Sequence, residues 1–220
     1  MGTWQHKPGL ILLAGTLEQF PIDAADWRFI VAADGGALHA LRQNVLPHYV
    51  IGDLDSLPTQ CVDRLKQHAV PLQRLPVDKD LTDGEAALNW ALQQNNTDTI
   101  VIAGGLGGRF DHTLGNVFLL QTLYEHSMHG WVTDGRQRVF LLRETLTIPC
   151  RIGDQLSIVP LSPHVKGCTT RGLRWPLHNA ELTFSSTLSL SNEAVEPWVS
   201  LAVEKGFALV VVTPQKKTDE

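Results

Sequence analysis

Up to about residue 132 the chain alternates short, unbroken apolar runs with stretches of helical periodicity. Residues 10–14 are apolar and precede Gly15; 29–33 precede Asp34-Gly35-Gly36; 49–51 precede Gly52-Asp53; and 99–103 precede Gly104-Gly105. Runs without polar alternation suit strands covered on both faces, as in a parallel sheet. Helices fit the intervals. The best-marked one follows Thr82, where Thr82 and Glu85 stand three apart as a capping box ahead of Ala86, Ala87, Leu88, Ala91 and Leu92. Another is predicted from about His112 to Tyr124, with Leu114, Val117, Phe118 and Leu120 to bury. Strand, glycine-rich turn and helix in repetition predict an open, mostly parallel α/β sheet, whose ligand crevice lies beyond the carboxyl ends of its strands.

After about Asp134 the texture changes. Short β-type segments at 139–142, 156–159, 182–184, 188–190 and 207–212 are separated by Pro149, Gly153, Pro160, Pro163, Gly167 and Gly172, with no helical repeat between them. This predicts an all-β, sandwich-like domain. The expected division is an α/β domain over residues 1–133 and a β-sandwich over 134–220.

Composition narrows the function. The 220 residues are 43% hydrophobic and 19% charged, the balance of a globular chain with a proper core. A net charge of -5 offers no basic footprint for DNA or RNA, so any nucleotide ligand is expected to be small. Cys61, Cys150 and Cys168 form no CxxC pair, which argues against a disulfide framework or zinc site and for a reducing compartment. No apolar run approaches the roughly 20 residues that span a bilayer. Residues 1–7 lack an apolar core behind a basic start, so the expected location is cytoplasmic, away from membranes.

The candidate chemistry lies in the acidic residues after the apolar runs: Asp34, Asp53, Asp55, Asp78, Asp80, Asp83 and Asp111. Neighbouring carboxylates repel and raise one another's pKa, so their convergence calls for a cation. Carboxylate oxygens with no histidine or cysteine at ligand spacing favour Mg2+, which shares its remaining ligands with water and substrate phosphates. In Asp53-Leu54-Asp55 an extended chain points both carboxylates to one side; the alternative is a turn in which each caps a backbone N–H. Asp78-Lys79-Asp80-Leu81-Thr82-Asp83 brings three carboxylates, an ammonium and a hydroxyl to a helix entrance, either as a metal–phosphate site or as dipole partners and solvated charge. In residues 104–112, four glycines let backbone N–H groups approach phosphate oxygens, and Arg109 adds a fork-shaped donor. This loop is neither a Walker A motif nor a dinucleotide fingerprint.

Taken together, Ala33-Asp34-Gly35-Gly36-Ala37, Gly52-Asp53-Leu54-Asp55-Ser56, residues 78–83 and 104–112, residues 170–177 and Ser189-Leu190-Ser191-Asn192-Glu193 resemble, in order and spacing, the thiamine pyrophosphokinase family. The resemblance implies an α/β catalytic domain joined to a β-sandwich, and a homodimer with active sites at its interface. It also implies a reaction in which the thiamine hydroxyl attacks the β-phosphorus of ATP and AMP leaves. By motif, it implies Asp53, Asp55 and Asp83 as Mg2+ carboxylates that act in catalysis with Arg109 and Asp111. Asp34, Lys79, Asp80, Thr82, Gly105, Arg109, Asp111 and His112 are implied as contacts to ATP or its metal, and Ser189, Asn192 and Trp175 as the thiamine side.

Overall fold

The computed structural model describes residues 7–20, 26–76, 78, 80–94 and 97–215. The chain separates into two compact units, Gly2–Gly135 and Arg136–Glu220.

In the first unit, strands β1 (Gly9–Leu12), β2 (Phe29–Ala33), β3 (Tyr49–Gly52), β4 (Leu72–Arg74), β5 (Thr99–Ala103) and β6 (His129–Thr133) form a parallel sheet in the order β6-β5-β1-β2-β3-β4. Every residue of β1, β2 and β5 is buried, which is why these segments carry no polar alternation. One face packs Leu10, Leu12, Ile30, Ala32 and Val50 against Ala40 and Leu41 of α1 (Ala37–Arg42) and Leu65 of α2 (Thr59–Gln67). Helix α3 (Asp83–Leu92) packs against β1, β2 and β3 through a buried stripe that includes Ala87, Leu88 and Ala91, and α4 (Phe110–Glu125) packs against β6 and α3. The chain leaves β1 toward β2 on one side and returns through β5 to the other. Beside β1 the direction of winding therefore reverses, the position at which open α/β sheets form ligand crevices.

The second unit is two four-stranded antiparallel sheets. One has the order β12-β9-β14-β7, from β7 (Arg138–Leu142), β9 (Gln155–Pro160), β12 (Asn192–Glu193) and β14 (Ala208–Thr213). The other has the order β11-β10-β13-β8, from β8 (Thr145–Pro149), β10 (His164–Arg171), β11 (Ala180–Thr183) and β13 (Trp198–Ala202). Alternate residues turn inward: Leu156 and Ile158 on β9, Val210 and Val212 on β14, Val199 and Leu201 on β13.

The observed elements differ from the expected ones in places. Leu188-Ser189-Leu190 is a turn, not a strand, and its burial runs opposite to a core strand: the leucines are exposed and Ser189 is buried. Strands β8, β10, β12 and β13 lie outside the expected segments. Strand β10 carries polar residues and a register shift between Val165 and Cys168, where Gly167 adopts φ 70°. Helix α4 begins at Phe110, two residues before the expected start.

Candidate active site

At the carboxyl ends of β1, β2 and β5 lies a cavity of about 540 Å³, lined by Leu13, Ala14 and Gly15 after β1, Ala33 and Asp34 after β2, Asp53 after β3, residues 81–84 at the start of α3, Gly104, Gly107, Gly108 and Arg109 after β5, and His112 and Asn116 of α4. Main-chain hydrogen bonds tie together the turns that line it. Leu13 N–H donates to Ala103 O (2.8 Å), Gly15 N–H to Gly104 O (3.0 Å) and Gly104 N–H to Thr133 O (2.9 Å). Gly104 adopts φ 74°, and a Cβ there would lie 2.3 Å from Leu13 O, so a side chain would force the two turns apart.

The acidic centre is built by the next two strand ends. Asp34 follows β2 with φ 45° and is 9% exposed, and its Oδ1 has no hydrogen-bond partner among the described residues. Strand β3 is in register with β2, Ala33 opposite Ile51, so Asp53 emerges beside Asp34. The approach is close: a Cβ on Gly52 would sit 2.9 Å from the Asp34 Cβ. One oxygen each from Asp34, Asp53 and Asp55 lies within 4.8 Å of the other two. A carboxylate withdrawn from water without a hydrogen bond on one oxygen is strongly disfavoured unless a cation compensates it. An all-oxygen carboxylate donor set fits Mg2+.

The extended geometry expected for Asp53-Leu54-Asp55 is not what forms. Leu54 adopts φ 64° while its side chain is buried in the core, and Asp53 Oδ1 accepts the Asp55 N–H at 3.1 Å. The turn alternative is met in part, since Asp53 caps a backbone N–H while Asp55 Oδ1 accepts the Ser56 hydroxyl at 3.2 Å, and the turn still brings the two carboxylates together. Two non-glycine residues with positive φ lie within this acidic segment, Asp34 itself and Leu54 between Asp53 and Asp55; such strain persists only where the surroundings enforce it.

Thr82 caps α3 as its motif suggests, its Oγ1 accepting the Glu85 N–H at 3.1 Å. Asp83 then lies in the first turn, facing the positive end of the helix dipole, and lines the cavity. It is not one of the three clustered carboxylates; Asp34 takes that position beside Asp53 and Asp55. Arg109, which also lines the cavity, forms a two-pronged pair with Asp111, Nη2 to Oδ2 at 2.6 Å and Nε to Oδ1 at 3.2 Å. The shared hydrogen bonds raise the Arg109 pKa and lower that of Asp111. Both side chains are exposed, so the pair orients the guanidinium more than it stabilises the fold.

Asp34, Asp53, Thr82, Asp83, Arg109 and His112 thus share the cavity, and Asp55 joins through the carboxylate cluster. Asp111 meets it through Arg109. Gly105 does not line it: a Cβ there would strike Val132, and its carbonyl accepts the Asn116 Nδ2–H at 3.1 Å. Asp78 and Asp80 are exposed and also outside the lining, and Lys79 lies outside the described residues. Sequence reasoning missed Asn116, although its spacing of four from His112 puts the two on one helix face. It also missed His39, whose Nε2 lies 2.9 Å from Gly15 O. Burial lowers the His39 pKa, outweighing the Gly15 hydrogen bond that raises it.

In the second unit, Ser189 is buried and its Oγ donates to Ile158 O at 2.7 Å. The Asn192 amide is bonded to the main chain of Trp175, whose ring is exposed.

Comparison with known proteins identifies both parts of the chain. Residues 23–132 match the family model described as thiamin pyrophosphokinase, catalytic domain, and residues 144–207 match thiamin pyrophosphokinase, vitamin B1 binding domain. Thiamine pyrophosphokinase of Bacillus subtilis (strain 168) is 30% identical over 183 residues, covering 82% of this chain and 85% of the relative. Thiamin pyrophosphokinase 1 of Caenorhabditis elegans is 28% identical over 186 residues, covering 79% and 74%. Among solved structures, thiamine pyrophosphokinase from Bacillus subtilis superposes with a TM-score of 0.84 at 26% identity, covering 95% of this chain and all of that one. The Geobacillus thermodenitrificans enzyme gives 0.80 at 28%, covering 94% and 99%.

Proposed function

Because the chain belongs to the thiamine pyrophosphokinase family, and is an enzyme of that kind, we propose that it transfers the pyrophosphoryl group of ATP to the hydroxyl of thiamine, giving thiamine diphosphate and AMP. A bond forms between the thiamine oxygen and the β-phosphorus while the bond from that phosphorus to the α,β-bridging oxygen breaks. The bridging oxygen leaves with AMP, and the hydroxyl proton passes to a base. The observation that carries the reading is the convergence of Asp34, Asp53 and Asp55 beside a glycine-lined cavity at the reversal point of the sheet.

Mg2+ would be held by Asp53 and Asp55 with Asp34 or Asp83, and when bound it offsets the charge that develops around the β-phosphorus. The remaining work is positional. N–H groups of the turn at Gly107 and Gly108 and of the first turn of α3, capped by Thr82, attract the triphosphate. Arg109 uses two of its five N–H donors on Asp111, which aims the rest of the fork as a phosphate clamp. His112 and Asn116 line the same cavity. An acidic side chain of the cavity is assigned as the acceptor of the hydroxyl proton.

The thiamine side is assigned to the β unit around Trp175, Ser189 and Asn192, with the exposed Trp175 ring as the surface for a flat heterocycle. We assign residues 1–133 as the catalytic domain and 134–220 as the thiamine-binding and dimerisation domain. Homodimerisation, with active sites at the interface between copies, is supported by the exposed Phe184, Leu188 and Trp198 of the β unit. A cytoplasmic location rests on three cysteines that all remain thiols; no described helix is long and apolar enough to cross a membrane. The reaction is tested by incubating the protein with ATP and Mg2+, with and without thiamine. AMP formed only with thiamine, together with thiamine diphosphate, is expected; AMP formed equally without thiamine means a hydrolase and overturns the proposal.

A further inference from the structure

Residues 172–175 run antiparallel to β12 and the residues that follow it. Arg174 N–H donates to Glu193 O (2.8 Å), Val195 N–H donates to Gly172 O (2.9 Å), and Leu173 and Ala194 are buried between them. At the end of this ladder a single side-chain amide holds Trp175. Asn192 Oδ1 accepts the N–H groups of Trp175 (3.2 Å) and Glu193 (2.9 Å), and its Nδ2 donates to Trp175 O (2.7 Å). Both oxygen lone pairs and one of the two N–H groups of the amide are thereby used. The opposite amide orientation would set donor against donor and carbonyl against carbonyl, so the bonds themselves determine it. A further strut braces the same residue: Arg174 bonds Glu193 Oε1 at 2.8 Å, and its guanidinium lies 5.8 Å from the Trp175 ring centroid.

The ring that all this anchors is 59% exposed. An exposed tryptophan adds little to a fold, so a clamp on both of its main-chain groups serves what the ring meets. We propose that Asn192 is a positioning residue that acts on thiamine through Trp175, its amide being committed to the Trp175 backbone rather than to the substrate; this rests on the reading that thiamine stacks on Trp175. Arg174, tethered by Glu193, lies over one face of the ring, and the opposite face is assigned to a flat heterocycle.

A kinetic double-mutant cycle tests this, using the full-length protein with ATP, Mg2+ and thiamine and following AMP. Trp175→Ala is expected to raise KM for thiamine about tenfold, as loss of one aromatic stacking partner does, with KM for ATP unchanged. Asn192→Ala should raise KM for thiamine several-fold in the wild-type background and leave it within about twofold when Trp175 is already alanine. Asn192→Asp keeps size and the two acceptors but turns a carboxylate toward Trp175 O, so it should behave like the alanine variant. It also serves as the test should the alanine variant fold poorly, with an unchanged KM for ATP reporting the intact fold. If Asn192→Ala costs the same in both backgrounds, Asn192 contacts the substrate itself and the proposal fails; if Asn192→Asp binds thiamine as well as wild type, the amide clamp does not position the ring and the proposal fails. If Trp175→Ala leaves KM for thiamine unchanged, the stacking reading fails and this inference with it.

Discussion

Replacing Gly52 by alanine puts a methyl group 2.9 Å from the Asp34 Cβ and 3.2 Å from its Cα and N. Carbon atoms rest at about 3.5–4.0 Å, so the ends of β2 and β3 must separate by roughly 0.5–1 Å. The neighbouring atoms are backbone and Cβ, which no rotamer change can move aside. Overpacking of this kind costs about 1–3 kcal/mol. A non-glycine residue at φ 152° adds about 1 kcal/mol or more. The sum, about 2–4 kcal/mol, lowers Tm by about 5–15 °C for a chain of this size. The same displacement moves Asp34 away from Asp53 and Asp55, and a misplacement of about 1 Å at a reacting centre costs on the order of 100-fold in rate. Thermal unfolding followed by circular dichroism and AMP release under saturating ATP and thiamine measure the two effects. A Gly52→Ala protein with wild-type Tm and wild-type kcat would show that the close packing of these strand ends does not build the acidic centre.

Asp53→Ala and Asp55→Ala should each lower kcat by about 10²–10³-fold or more while leaving the far-ultraviolet circular dichroism spectrum unchanged, because each removes a charge stabiliser rather than a core contact. Near-wild-type thiamine-dependent AMP formation in either variant removes that residue from the mechanism. Arg109→Lys keeps the charge but loses the fork, so kcat/KM for ATP should fall about 10–100-fold; an unchanged value would mean that phosphate is not gripped by the guanidinium. His39 has a pKa held below 6.5 chiefly by burial, so the unfolded chain takes up its proton more readily than the folded one. Its contribution to stability is complete above pH 6.5 and is lost as pH falls from there toward the folded pKa. A urea-unfolding series from pH 8 to 5 should therefore decline more steeply for wild type than for His39→Gln, whose amide can still donate to Gly15 O; parallel curves would contradict this.

The α/β part of the fold was largely legible because burial on both faces strips polar residues from β1, β2 and β5, which leaves unbroken apolar runs. Strand β4 escaped because it is a three-residue edge strand, and β6 because His129 and Gly130 open it with neither apolar continuity nor alternation. In the β unit the error at Leu188-Ser189-Leu190 arose from reading hydrophobicity as burial. There Ser189 points inward to Ile158 O while leucines face outward, and sequence has no means of telling such a turn from a strand. The site divides in the same way. Residue type alone marked Asp53 and Asp55. That Asp34 completes their cluster depends on β2 and β3 being neighbours in register and on Gly52 admitting the close approach, both long-range facts. The left-handed turn at Leu54 was equally hidden, since leucine rarely adopts it without tertiary packing to enforce it.

The central claim is that carboxylates from separate strand ends converge to hold a divalent cation against the phosphates of ATP. A crystal of the protein grown with Mn2+ and a non-hydrolysable ATP analogue tests it most directly, because the anomalous signal of manganese locates the ion independently of the surrounding density. The account predicts a peak bonded to oxygens of Asp53 and Asp55, with Asp34 or Asp83, and of the triphosphate. A nucleotide bound with its metal remote from Asp34, Asp53, Asp55 and Asp83 would contradict it.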